Sequence, residues 1–314
     1  MKYLCFATPL DNILLKMLEE ENVNAVLASY YYLHDNNRAI NKVLEFVDKT
    51  KAKVYIDSGI YSLKGKLGIT VSKPIWQFTE QDRADMLKKS REKGKDYDTF
   101  FEAYMKFMQK YYDNFDHFFN FDVEEFLGFD YVDKYTDIQL EAFPEKAIVV
   151  WHQVRGWQAW KDMCQKYDYL SVCGGYELRY NVPFYRALLK EVQGKCHALA
   201  LSSPYYVTRI DCDSCDSTSW LMGGKYADVY TPLGMKKVNF GKKQMPDSFN
   251  CQSELVKKEL AEYFKSIGFT IDDLYEGYKS RIRANIIFFK DLEKRWNEQE
   301  AHSYHQQSME DLWI

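Results

Sequence analysis

Eight short apolar runs, separated by stretches that mostly read as helix, set the tightest limit on how this chain folds. The runs are KYLCFAT, NAVLASY, KVYIDSG, DHFFNFDV, KAIVVWHQ, YLSVCGG, CHALALSS and SCDSTSW. Most are continuously apolar rather than alternating, as in strands buried on both faces. Helix-like stretches cover Asn12 to Glu21, Asn37 to Asp48, Asp98 to Tyr112, Val132 to Leu140, Trp157 to Tyr167 and Pro183 to Val192, while the seventh connection, Pro204 to Ile210, is short. Eight strands with interposed helices predict an α/β fold, the (β/α)8 TIM barrel. The competing open, doubly wound sheet would carry a glycine-rich dinucleotide fingerprint after its first strand, and none follows KYLCFAT.

Two segments break the rhythm. Residues 60–97 read as an insertion after strand three, holding Gly65, Gly68, Pro74 and a basic run. Long loops at strand C-terminal ends are where barrels place lids and recognition elements. Residues 223–250 form a Gly- and Lys-rich loop, followed by helix-like stretches Ser253 to Ile267 and Ile271 to Glu300. The expected organisation is a barrel catalytic domain over 1–222 and a basic loop with C-terminal helices over 223–314, packed on the barrel.

Composition narrows the partners. Hydrophobic residues make up 46% of 314, enough for a large core. A net charge of -4 does not suggest wholesale coating by nucleic acid, and it leaves room for a local basic face. Such clusters occur in KKSREKGK and MKKVNFGKK, and a charge run is most often a solvated face. The candidate phosphate contacts are Lys64, Lys66, Lys236, Lys237, Lys242 and Lys243. Seven scattered cysteines, an odd number without framework spacing, fit a reducing compartment. Cys212 and Cys215 have metal-like spacing but no second Cys/His pair, so they read as packing residues and no metal is expected. No signal peptide or membrane-length apolar run is evident, which makes the expected location cytoplasmic.

In a barrel, active residues come from strand C-terminal ends and the loops that follow. Polar residues there are Asp57 and Ser58 after strand three, Asp122 after strand four, and Gln153 with His152 after strand five. Gly174 and Gly175 end strand six, with Glu177 just beyond; Ser202 and Ser203 end strand seven; Asp216 lies near the end of strand eight. One carboxylate can attack an anomeric carbon while a second works as acid and base. A third carboxylate beside an amide suits a guanine edge, accepting from ring N–H and amino groups while the amide donates to a carbonyl. Paired glycines let backbone approach a planar ring.

This ordered set resembles the tRNA-guanine transglycosylase superfamily. DSGIY at Asp57 is similar to its DSGGF motif, NFDVEE at Asp122 to its guanine-binding FDE-type motif, and WHQV at Gln153 to its VQGG motif. VCGGYE at Gly174 and Gly175 resembles its VGG motif, and Asp216 falls where the family has its nucleophile. The resemblance covers roughly residues 50 to 220. It is closer still to the short phage and bacterial DpdA-like DNA transglycosylases, through Asp216-Ser217-Thr218-Ser219-Trp220. HALALSSP around His197 is similar to the H-G-x-G-x-T/S segment that precedes that motif. The zinc cluster of the tRNA enzymes has no counterpart, since only Cys251 follows Asp216. Ile60 replaces the second glycine of DSGGF, and Val154-Arg155-Gly156 replaces the Gly-Gly after the glutamine.

The resemblance implies exchange of guanine in DNA for a 7-deazaguanine such as preQ0 or preQ1, without a cofactor. Asp216 is the implied nucleophile and Asp57 its acid/base partner. Asp122, Gln153, Ser58, Gly174 and Gly175 are the implied base readers, with His152 and Glu177 as further substrate contacts. tRNA as the polymer, a carboxylate-dependent N-glycoside hydrolase, and a catalytically silent nucleic-acid-binding barrel are the alternatives; a homodimer or partner protein is compatible with each.

Overall fold

The computed structural model describes residues 1–69, 79–124, 127–173, 181–201, 203–235, 237–243 and 245–298. Eight strands close a barrel in chain order: β1 Tyr3–Thr8, β2 Ala25–Ser29, β3 Lys53–Asp57, β4 His117–Phe119, β5 Ala147–Trp151, β6 Tyr169–Cys173, β7 Lys195–Leu199 and β8 Ser214–Ser217. Every strand pair from β1–β2 to β7–β8 is parallel. All eight lie where the apolar runs predict, and the fold is the (β/α)8 TIM barrel.

The helices follow as α1 Asn12–Glu20, α2 Tyr30–Leu33, α3 Asn37–Thr50, α4 Ile60–Lys66, α5 Glu80–Arg91, α6 Gly94–Lys110 and α7 Phe129–Ala142. Then come α8 Gly156–Lys166, α9 Val182–Glu191, α10 Pro204–Val207, α11 Ser219–Lys225, α12 Glu254–Ser266, α13 Ile271–Glu276 and α14 Tyr278–Glu298. The segment 60–97, read from sequence as a loop insertion, is mostly helical where described. Thr79 opens α5 with a capping box to Asp82, and Lys88, Lys89 and Arg91 occupy its last turn, where cations complement the helix dipole. The basic run is therefore a helix C-terminus, with Arg91 donating to Leu127 O at 3.1 Å. The predicted helix Ile271 to Glu300 is broken: Thr270 and Asp273 cap α13, and Gly277, at φ -120 and ψ 116, ends it before α14 begins.

The chain divides into two compact units. The larger comprises Cys5–Leu201 and Ile210–Ser217, nearly the whole barrel. Its interior is polar and aromatic, holding Tyr55, His117, Tyr169, His197 and Ser214 on β3, β4, β6, β7 and β8, all buried but His117, which is half-buried. His117 packs edge-on against Tyr169 at 4.9 Å, and burial pushes its imidazole down to about 4.

The smaller unit comprises Met1–Leu4, Ser202–Arg209 and Thr218–Ile314. There α11 approaches α14 closely enough that a Cβ on Gly224 would lie 2.5 Å from Ile282 Cγ1. An antiparallel pair, β9 Asp228–Tyr230 and β10 Lys237–Asn239, joins α12 and α13 around Phe240, Phe264 and Leu274. Among the described residues, no helix is long and apolar enough to cross a membrane.

Candidate active site

Asp57 is the last residue of β3, and the chain turns at once into α4. The turn requires glycine. Gly59 has φ +77, and a Cβ there would lie 2.6 Å from Tyr31 Cβ and 2.9 Å from Ser29 Oγ. Its N–H donates to Asp57 Oδ2 at 3.0 Å. Burial pushes the Asp57 carboxyl up to about 7; Asp122 and Asp216 add to the rise, while the Ser29 hydroxyl and the Gly59 N–H oppose it. Of the three carboxylates predicted to converge, Asp122 and Asp216 thus lie within electrostatic reach of Asp57.

Asp122 stands just past β4. Asn120, fully buried, fixes that exit by donating to Thr136 Oγ1 at 2.8 Å and accepting from Val150 N–H at 3.0 Å. Asp122 Oδ1 accepts from Ser58 Oγ at 3.0 Å, and Oδ2 lies 3.3 Å from His152 Nε2. Both partners were candidates from sequence; here they hold the carboxylate, and each oxygen keeps a lone pair for a ligand.

His152 also faces Glu124, with Nε2 4.0 Å from Oε1. The register Trp151↔Val172 sets His152 beside Cys173 across β5 and β6. Burial works against a charged imidazole, yet Cys173, Glu124 and Asp122 outweigh it and hold His152 well above its usual range. Glu124 accepts from Arg155 Nε at 3.2 Å, and Arg155 also reaches Asp133 at 2.9 Å. Burial raises the Glu124 carboxyl against the pull of His152 and Arg155, and its Oε2 has no hydrogen-bond partner among the described residues. Glu124 and Arg155 are thus site residues that the motif reading left out, although each lies within three positions of a predicted one.

Asp216 sits on β8, 6% exposed. Oδ1 accepts from Ala200 N–H at 2.8 Å and lies 3.0 Å from Nε2 of the buried His197. Ala200 has φ +58, left-handed backbone that a non-glycine residue adopts at a cost of about 1 kcal/mol or more. Among the described residues, both hydrogen bonds to this carboxylate address Oδ1 and none addresses Oδ2.

Not every predicted residue joins this cluster. Gln153 is exposed at the start of a single 3-10 turn, Gln153–Arg155. Gly174, Gly175, Glu177 and Lys236 lie outside the described residues. Lys64 is buried, with Nζ 5.7 Å from the Tyr61 ring, and is not an open phosphate contact; Lys66 is exposed. Lys237 pairs with Asp228 at 2.6 Å, and Lys242 and Lys243 are exposed, all three in the smaller unit. Cys212 and Cys215 are buried free thiols, and no metal-holding cluster occurs among the described residues.

Comparison with protein-family models gives no match, and comparison with curated protein sequences gives none. Among solved structures, the chain is similar to orotidine 5'-monophosphate decarboxylase from Methanocaldococcus jannaschii at 13% identity, covering 69% of this chain and 88% of that one, with TM-score 0.40. It is similar to an aldolase designated QR15 at 12% identity, covering 70% and 90%, with TM-score 0.38. It is also similar to a mutant tryptophan synthase alpha-subunit from Pyrococcus furiosus at 10% identity, covering 94% and 98%, with TM-score 0.44. None of these three is a guanine transglycosylase.

Proposed function

We propose that this chain is an enzyme that exchanges a purine base at an N-glycosidic bond, replacing guanine in DNA with a 7-deazaguanine. The observation that carries the proposal is the division of labour between two carboxyls at one barrel mouth. Asp57 has its carboxyl raised to about 7, the range of a group that both gives and takes a proton near neutrality. Among the described residues Asp216 is held through Oδ1 and not through Oδ2, which leaves Oδ2 to attack.

Asp216 Oδ2 bonds to C1′ as the C1′–N9 bond breaks, and the electron pair leaves with guanine. Protonated Asp57 gives its proton to the departing base. The incoming deazaguanine loses its ring N–H proton to the Asp57 carboxylate and attacks C1′. The C1′–O bond to Asp216 then breaks, restoring both carboxyls. Asp122, braced by Ser58 and His152, is the carboxylate that would accept from a guanine edge, with Glu124 and Arg155 behind His152. In a duplex the target base must first be extruded, at about a few kcal/mol.

Backbone geometry supports the resemblance independently of motif spelling. Gly59 keeps the third residue of the DSG motif at φ +77, where a side chain does not fit. Ala200 stands at the second glycine of the H-G-x-G-x-T/S segment and takes φ +58, a conformation glycine adopts without strain. All seven cysteines are free thiols, which suits action in a reducing cytoplasm.

The test is incorporation of radiolabelled guanine into DNA and, in parallel, into tRNA, by wild type and Asp216→Asn. Uptake by DNA that the variant abolishes is expected. Uptake only by tRNA changes the polymer; base release without uptake makes the enzyme a hydrolase. Salt-sensitive binding with no turnover makes it a binding protein.

A further inference from the structure

Asp216 is one end of a hydrogen-bonded chain that runs through the barrel interior. Its Oδ1 is 3.0 Å from His197 Nε2, and His197 Nδ1 is 2.6 Å from Ser214 Oγ. Ser214 Oγ is 2.7 Å from Tyr169 OH, which is 3.4 Å from Tyr55 OH. His197 and Ser214 are fully buried, and Tyr55 and Tyr169 nearly so. Buried polar groups take hydrogen-bond partners, and these four find them in one another, so their protons can be counted.

Each hydroxyl has one proton to give, as does a neutral imidazole. One arrangement uses every proton. Tyr55 donates to Tyr169, Tyr169 to Ser214, Ser214 to His197 Nδ1, and His197 Nε2–H to Asp216. The opposite tautomer, protonated at Nδ1, would aim the Nε2 lone pair at a carboxylate oxygen. An imidazolium would donate from both nitrogens, making Ser214 Oγ an acceptor at Nδ1 and breaking the head-to-tail order. Burial holds both phenols well above their ordinary range, so both stay donors. Donors aligned head to tail also polarise one another.

We propose that His197 is the positioning residue of Asp216: the Tyr55–Tyr169–Ser214 chain fixes it as the Nε2–H tautomer, and with the Ala200 N–H it pins Oδ1 so that Oδ2 is the reacting oxygen. The word reacting rests on the base-exchange reading; the tautomer and the pinning do not.

Two arms separate these. In the first, imidazole 15N NMR is recorded on wild type, with His197 assigned by the signal lost in His197→Gln. The expected wild-type signature is a protonated Nε2 beside a bare Nδ1. Ser214→Ala should abolish that single-tautomer signature, and Tyr169→Phe should weaken it. A wild-type ring protonated at Nδ1, or at both nitrogens, overturns the proposal, and so does a signature unchanged in Ser214→Ala. In the second arm, kcat and KM for base exchange are compared. His197→Gln, whose amide nitrogen can stand near the Nε2 position, should keep kcat within about tenfold. His197→Asn, which is one methylene shorter, should lose about a hundredfold or more with KM within about twofold. Equal losses in the two variants overturn the pinning role. Ser214→Ala, a smaller change that leaves His197 in place, should lower kcat without altering the thermal midpoint by more than a few degrees. If wild type exchanges no base in any polymer, the functional reading fails while the NMR arm still decides the tautomer.

Discussion

Replacing Asp57 by asparagine tests the site without needing a substrate. The folded protein holds this carboxyl near 7, against an ordinary value of 3.8. Between those values the native state binds a proton that the unfolded chain has released, so stability falls as pH rises from about 4 to about 7. Above pH 7 the native state carries a carboxylate in a place that disfavours it. The gap corresponds to about 4 kcal/mol at 1.36 kcal/mol per pH unit. Asp57 is partly exposed, and water at the mouth reduces that to about 2–4 kcal/mol. Asparagine has nearly the same shape, keeps a carbonyl oxygen for the Gly59 N–H, and carries no charge. Asp57→Asn should therefore be more stable than wild type at pH 8, with the advantage shrinking toward zero by pH 4. For a chain of this size, about 2–4 °C per kcal/mol puts the gap in thermal midpoint at roughly 4–16 °C at pH 8. Calorimetry of both proteins from pH 4 to pH 8.5 gives the answer. A gap that does not change with pH, or a variant less stable than wild type at pH 8, would refute the electrostatic reasoning, and with it the acid/base role.

Of the two like charges that raise the Asp57 carboxyl, Asp122 has the larger effect. Asp122→Asn should therefore move the alkaline limb of the pH–rate profile for the proposed base exchange, which reports loss of the Asp57 proton, to lower pH, read by initial rates across pH 5–9. Gly59→Ala forces a side chain into a left-handed turn 2.6 Å from Tyr31 Cβ, and should cost about 2–4 kcal/mol in urea denaturation. It should also displace Asp57 and lower the exchange rate. Arg155→Met leaves the buried Glu124 without its 3.2 Å partner, and should cost about 3 kcal/mol at pH 8 and less at pH 5, as protonation relieves the carboxylate. Gly224→Ala drives a methyl within 2.5 Å of Ile282, and should cost about 1–3 kcal/mol by the same measurement.

The barrel was legible because a parallel strand covered on both faces is a continuous apolar run, and eight such runs admit few arrangements. Helices were harder where amphipathicity was faint. The helix α5 is almost wholly polar, so its capping box was the only strong local signal within a segment that otherwise read as loop. The break at Gly277 hid inside a long charged pattern, because one glycine does not interrupt a periodicity counted over whole turns.

In the site, sequence determined which residue types stand at the strand ends. Asp57, Asp122 and Asp216 each close an apolar run, and local chain direction alone carries them to the barrel mouth. What the local sequence could not decide is parity and pairing. Trp151 packs outward on Trp160 at 5.3 Å, so the next side chain, His152, turns inward to Asp122, while Gln153 begins a turn and stays exposed. A strand alternates faces every residue, so a single step of register separates a base reader from a surface amide. Asp216 meets His197 from the neighbouring strand, 19 positions away, and Glu124 meets Arg155 across 31. Those encounters, and the rise of the Asp57 carboxyl to about 7, exist only once the barrel closes. Burial and facing charges belong to the assembled mouth and to no stretch of sequence.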